Sequence, residues 1–170
     1  LNETLGLEDY EAFLHEPSMA DKFDFLMSTK ADYTDTELLK SKEARKEVAR
    51  SLAIFSAFAE GVSLYSSFAV LYSFQMRNLL KGIGQQMKWS VRDESLHSKM
   101  GCRLFNHMCS EDKDLRSNVS ESVYEAAKLI VEMEHNYIDK IFEMGDIENL
   151  KAYDLKNFIY RRTNEKLQEL

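Results

Sequence analysis

The sequence predicts an all-α fold, and three observations carry that expectation. A single proline and six glycines in 170 residues leave few helix breakers. Apolar residues recur at three- and four-residue spacing along nearly the whole chain, the period of helices that bury one face. No stretch alternates apolar with polar residues as a half-buried strand would, and no internal repeat stands out. With 44% hydrophobic residues the chain can bury one core, so residues 1–170 are expected to form a single domain.

Taken in order, residues 7–15 predict a short helix ended by Pro17, and residues 20–29 a second with Phe23, Leu26 and Met27 inward. The run from Ala31 to Thr36 reads as a loop. A very long helix is expected over approximately 37–80, its first half solvated through Lys40, Lys42, Arg45, Lys46 and Arg50. Gly82 and Gly84 are expected to turn the chain into a helix over 84–109. A charged connection (110–117) leads to a helix over 119–144 capped by Gly145, and the last helix covers 154–170.

Chemistry concentrates in two of these helices. Glu94-Ser-Leu-His97 places a carboxylate and an imidazole three residues apart, where one helical face offers both to a single metal ion. Met87, Val91, Glu94, Ser98, Gly101, Phe105 and Met108 form one stripe, with Ile83, Ser90, His97 and Leu104 beside it, so both ligands are expected on the apolar face. Burying an ionised carboxylate without a partner costs several kcal/mol, by order of magnitude, and a metal ion supplies that partner. Upstream, Glu60 is the only charged residue between Ser51 and Met76. That run has the length of a membrane span, but its serines and central acid favour a helix buried in protein. Glu60, Glu94 and His97 on two adjacent helices would make half of a dinuclear carboxylate site.

These residues also resemble a known family. Ala59-Glu60-Gly61-Val62-Ser63-Leu64-Tyr65-Ser66-Ser67-Phe68, Lys81-Gly82-Ile83-Gly84-Gln85 and Ser90-Val91-Arg92-Asp93-Glu94-Ser95-Leu96-His97-Ser98 are similar to the radical-generating small subunit of class I ribonucleotide reductase. The likeness continues through Asp146-Ile147-Glu148 and 154–159 to 164–170, nearly the whole chain. It implies a ferritin-like helical bundle in which Glu60, Glu94 and His97 are three of six ligands to two metals, with Asp93 a supporting acid on the radical-transfer route. It implies a di-iron centre first, with manganese-iron or dimanganese as alternatives. By that resemblance the centre would react with an oxygen species and pass an oxidising equivalent to the large subunit, which reduces ribonucleoside diphosphates to deoxyribonucleotides for DNA replication.

The chain departs from that family by lacking an earlier acidic ligand, a first Glu-x-x-His, the redox-active tyrosine four residues beyond it, and the C-terminal tail that docks on the large subunit. The bundle is therefore expected to be incomplete, without its N-terminal ligand helices, and no radical tyrosine is assigned in this chain. It reads as an internal fragment, one piece of a split chain or a trimmed segment. The expected partners are the large subunit, a second small subunit in a homodimer, and chain segments that supply the missing ligands. Two other readings share the helices: a ferritin-like protein that oxidises or stores iron, and a structural fragment active only when completed by partner chains.

Other features read as structural. Glu132-Met-Glu-His135 repeats the ligand spacing, yet Glu132 keeps company with Glu125, Lys128 and Asp139 and is expected to face water. Glu134 lies on the apolar side, where a salt bridge with a lysine or arginine would explain it. His15, His107, Tyr65 and Tyr72 are assigned no chemistry. Asp93 points roughly 100° away from Glu94 around the helix, so it would either accept the far N–H of a ligand histidine or form a local ion pair with Arg92. A net charge of −7 with scattered basic residues disfavours nucleic acid. Cys102 and Cys109, seven apart on one helix at about 10 Å, cannot pair and read as reduced thiols, which suits a cytoplasmic protein.

One spacing forces a further expectation. With the turn at Gly82, Glu60 lies 22 residues before it and Glu94 12 after, which would set the two acids roughly 15 Å apart along an ideal hairpin. The helix carrying Glu60 must therefore be distorted, and 64–71 is the expected place, with Ser66 and Ser67 satisfying the carbonyls released from the ladder.

Overall fold

The structure, a computed structural model, describes residues 3–31 and 40–170. Its elements are α1 (Glu3–Leu14), α2 (Pro17–Ser28), α3 (Lys42–Ile54), a π-helical segment (Phe55–Ser63), α4 (Tyr65–Met76), α5 (Lys81–Glu111), α6 (Leu115–Glu143) and α7 (Ala152–Glu169). Among the described residues there is no strand, and one isolated bridge, Ile147 to Leu150, shapes the connection between α6 and α7. This is the expected all-α, ferritin-like architecture. The loop expected over 31–36 and the start of the helix expected at Glu37 fall, apart from Ala31, outside the described residues.

Pro17 opens α2 and does not merely close α1. A proline in the first helical turn sacrifices no ladder bond, and the Glu16 carboxylate accepts from Ser18 N at 2.8 Å to cap the new helix. The inward face of α2 also differs from expectation: Phe23 and Met27 are exposed, while Lys22 and Thr29 are buried and Phe25 and Leu26 partly so. A lysine takes the inward position because an acid waits for it there, as described below.

The single helix expected over 37–80 is three elements. Ser41 caps α3 by accepting from Ala44 N at 3.0 Å, the ladder widens to five-residue spacing at Phe55, and it breaks at Leu64 before α4 begins. The distortion thus begins nine residues before the expected stretch and contains Glu60 itself. Ser66 and Ser67 do not cap released carbonyls; their hydroxyls donate to the Glu134 carboxylate and, at 3.1 Å, to the Tyr137 hydroxyl. Lys22 Nζ and Arg162 Nε instead reach carbonyls at the exit of the π segment, Ser63 O at 3.2 Å and Gly61 O respectively. Side-chain donors are needed where the ladder changes spacing, because backbone partners there fall out of line.

The turn into α5 lies at 77–80, with Asn78 (φ 60°) and Leu80 (φ 45°) in the left-handed region, so Gly82 and Gly84 are helical residues and not the turn. Gly84 serves packing: a Cβ there would sit 2.5 Å from Gln75 Oε1 and 2.7 Å from Gln75 Cβ. Moving the turn also removes most of the offset. Glu60 lies 18 residues before Asn78 and Glu94 16 after it, a mismatch of only about 3 Å at helical rise.

The core gathers around the π segment, which packs against α3, α5, α6 and α7. Ile54, Ala57, Phe58 and Val62 are fully buried, and Ile130, Ile138 and Ile159 meet them from α6 and α7. Each large apolar side chain removed from water in this way contributes roughly 1.5–3 kcal/mol. The stretch Lys42–Met76 contains a window apolar enough to cross a membrane, and 56% of that window is buried inside the bundle, as a core helix requires. Cys102 and Cys109 are free and buried in the same core, where loss of water pushes both thiols above their ordinary value. At the end of α6, Gly145 takes φ 123° as the expected cap.

Candidate metal centre

Glu60 projects from the π segment and Glu94 and His97 from α5, and one ligand atom of each lies within 4.8 Å of the others. This is the set of three metal-ligating residues that converges among the described residues. The widened turn matters here because it rotates Glu60 relative to a regular helix while leaving Ala57, Phe58 and Val62 pointing into the core. On α5 the three-residue spacing brings His97 Nδ1 to 3.7 Å from Glu94 Oε2.

Close approach of the two elements is built from small residues. A Cβ on Gly101 would fall 2.5 Å from Ser56 Cβ, and one on Gly61 2.9 Å from Ser98 Oγ, so a larger residue at either point would force its neighbours to shift. The Tyr65 hydroxyl then ties the exit of the π segment to α5 through Ser95 Oγ at 2.8 Å, and Ser95 donates to Val91 O at 2.6 Å.

Electrostatics favour a cation. Burial is the main cause that raises the Glu60 carboxyl above its ordinary value; Glu94 adds to the rise and His97 opposes it. Two carboxylates facing one point repel each other, and a divalent ion relieves that repulsion.

The burial of the ligands corrects one expectation. Glu94 and His97 do not both lie inside the apolar face: the side chain of Glu94 is 25% exposed and that of His97 58%. The stripe from Met87 to Met108 does turn inward, with Ser98 and Phe105 buried, but the neighbouring stripe is open, and Ile83 and Leu104 are exposed on it. Trp89, Leu96 and Met100 extend this exposed apolar surface beside the ligands. The described residues therefore form the floor of a site with an open side. Asp93 is also exposed, and no hydrogen bond or ion pair among the described contacts joins it to His97.

The rival unit resolves as expected from its facing. Glu132 is exposed, and His135 is half-buried with Nε2 3.2 Å from the Lys156 carbonyl. Both line an open cleft of about 630 Å³ between α6 and α7, where no three ligand atoms of the described residues converge. The fully buried acid is Glu134, which pairs with Lys22 and accepts from Ser66. His107 is exposed and lies 3.6 Å from Glu111, and His15 is exposed. Sequence reasoning anticipated a base for Glu134 but missed both basic side chains, Lys22 and Arg162, that hold the exit of the π segment. On α2 the available signal was Lys22 at helical spacing from Met19, Phe25 and Leu26; on α7 Arg162 stands among Glu165 and Lys166, and the sequence offered none.

Comparison with known proteins identifies the family of the chain. The family model for the ribonucleotide reductase small chain matches residues 2–170. A protein of Invertebrate iridescent virus 3 described as a probable ribonucleoside-diphosphate reductase small subunit is 37% identical over the whole of this chain and 48% of its own length. A counterpart from Invertebrate iridescent virus 6 is 33% identical over 93% of this chain and 48% of its own length. A ribonucleoside-diphosphate reductase subunit beta from Chlamydia pneumoniae is 25% identical over 99% of this chain and 50% of its own length. The chain spans about half the length of these relatives. On the extent of the family match and the identity to the viral proteins, this chain belongs to the ribonucleotide reductase small-chain family.

Proposed function

We propose that this chain supplies one side of the dinuclear metal centre of a ribonucleoside-diphosphate reductase small subunit. The observation that carries the reading is the convergence of Glu60, Glu94 and His97 across the π segment and α5. Hard carboxylate oxygens with a single imidazole suit iron or manganese better than zinc, which takes more nitrogen or sulfur; di-iron is the first choice, and manganese-iron and dimanganese use the same donors.

When bound, the metals supply one-electron oxidising chemistry with an oxygen species, the source of the equivalent that the family delivers to its large subunit. The residues of this chain bind and orient. Glu60 offers a carboxylate from the widened turn. Glu94 and His97 hold their side of the ion from a helix pinned by the Tyr65–Ser95 bond. Asp93, exposed toward the open side, would accept the N–H of a ligand histidine from the segment that completes the site. The remaining ligands come from that segment, and the exposed apolar surface of Trp89, Leu96, Met100 and Leu104 gives it a place to pack. A second copy of the small subunit, the large subunit and a cytoplasmic setting belong to the same reading.

Metal analysis with low-temperature electron paramagnetic resonance tests it, on the chain alone and on any complex it purifies with. The expected result is weak binding of one metal per chain in isolation and a coupled two-metal signal in the completed assembly. Two tightly held metals in the isolated chain would contradict the division of the site, and no metal in either would contradict the site.

A further inference from the structure

Arg162, on α7, lies across the exit of the π segment and outside the ligand set. Its Nε donates to the Gly61 carbonyl, and its guanidinium carbon sits 3.4 Å from the centre of the Tyr65 ring. Tyr65 passes the contact on, through its hydroxyl, to Ser95 on α5. Gly61 directly follows Glu60 and Ser95 directly follows Glu94, so a single guanidinium is connected to the backbone neighbours of two carboxylates on two different elements.

Packing alone does not account for an arginine here. Its half-buried guanidinium is held against a desolvation cost, which lowers its pKa, while Tyr65, Glu165 and Glu169 act the other way. An apolar side chain of the same volume would avoid that cost. What arginine adds is a planar group that stacks on a ring and donates in its own plane at once, which a lysine cannot reproduce. The place where it acts is the least self-supporting part of the helix, since π geometry is intrinsically weak and Leu64 has no side-chain cap.

We propose that Arg162 is a positioning residue of the metal centre, clamping the π turn against α5 so that Glu60 and Glu94 keep the spacing a divalent ion requires. The proposal rests on the metal-site reading above. It assigns to α7, which contributes no ligand, control over the geometry of two ligands.

The test uses the full chain with Arg162→Met, Arg162→Lys and, as a control, Arg161→Met at the exposed neighbouring position. Cobalt(II) binding is followed by its visible absorption, and backbone hydrogen exchange is followed over 55–64. Wild type and Arg161→Met are expected to give the same cobalt spectrum and affinity. Arg162→Met and Arg162→Lys are expected to shift the spectrum, weaken binding by about 10- to 100-fold and speed exchange over 55–64. Should Arg162→Met fail to fold, Arg162→Lys, which keeps the charge and most of the stem, carries the comparison. Unchanged cobalt spectra and affinities in the folded Arg162 variants would overturn the proposal, as would altered binding with unchanged exchange over 55–64. Absence of cobalt binding in wild type would overturn the metal-site reading itself, and this proposal with it.

Discussion

Lys22 Nζ and the Glu134 carboxylate form an ion pair in the interior of the bundle, with the Glu134 side chain fully shielded from water and that of Lys22 nearly so. The pair is held on several sides. Ser66 donates to the same carboxylate, Lys22 donates to the Ser63 carbonyl, and its ammonium lies 4.7 Å from the centre of the Tyr137 ring. Through these contacts α2 and α6 are joined to the exit of the π segment, and the pair fixes from one side what Arg162 holds from the other.

Removing either partner leaves a buried charge uncompensated. Lys22→Met and Glu134→Leu should each lower unfolding free energy by about 3–5 kcal/mol, and the double variant should recover most of that loss, since the desolvation cost disappears with both charges. Chemical denaturation of the four proteins checks this, and additive losses would show that the two residues act independently.

Gly101→Ala should destabilise by about 1–3 kcal/mol, because the added methyl meets the Ser56 side chain across the closest approach of α5 to the π segment. Adding Ser56→Gly should recover part of the loss. A single variant as stable as wild type would mean that α5 and the π segment are free to separate.

The two Glu-x-x-His units should respond differently to truncation. Glu94→Ala removes a ligand and should abolish metal loading, whereas Glu132→Ala, at an exposed position, should leave loading intact and change stability by only a few tenths of a kcal/mol. Equal metal loss, measured by elemental analysis after gel filtration, would overturn the choice between them.

Burial raises the Glu60 carboxyl, so the metal-free fold gains stability from a protonated Glu60. That contribution is fully present below the ordinary carboxyl value of 4.5 and is lost as pH rises through the higher folded value. Metal binding has the opposite dependence, because the proton must leave before the ion can bind: affinity should increase with pH across the same window. Glu60→Gln should remove this group's part of the slope in metal-free stability, as read from thermal midpoints over a pH series. An unchanged slope would place the titrating group elsewhere.

Local information in the sequence was enough for the all-α class, for the meeting of Glu60 with Glu94 and His97, and for the opposite facing of Glu132 and Glu134, because each depends on spacing within one or two elements. The need for a distortion was also legible, from a length mismatch between two acids that must meet. Its position was not, because the serines at 66 and 67 looked like local caps while the actual donors, Lys22 and Arg162, are distant in sequence. The turn was misplaced because Asn78 and Leu80 adopt left-handed backbone where glycine was the stronger local signal. His97 proved exposed because periodicity shows which residues share a face and says nothing of whether a neighbouring element covers it.

The central claim, that Glu60, Glu94 and His97 hold one metal ion, is tested most directly by anomalous diffraction at the manganese edge from crystals of the manganese-loaded protein. The account predicts a peak bonded to oxygens of Glu60 and Glu94 and to a ring nitrogen of His97. A peak beside Glu132 and His135, or no peak within reach of the three ligands in crystals shown to contain manganese, would contradict it.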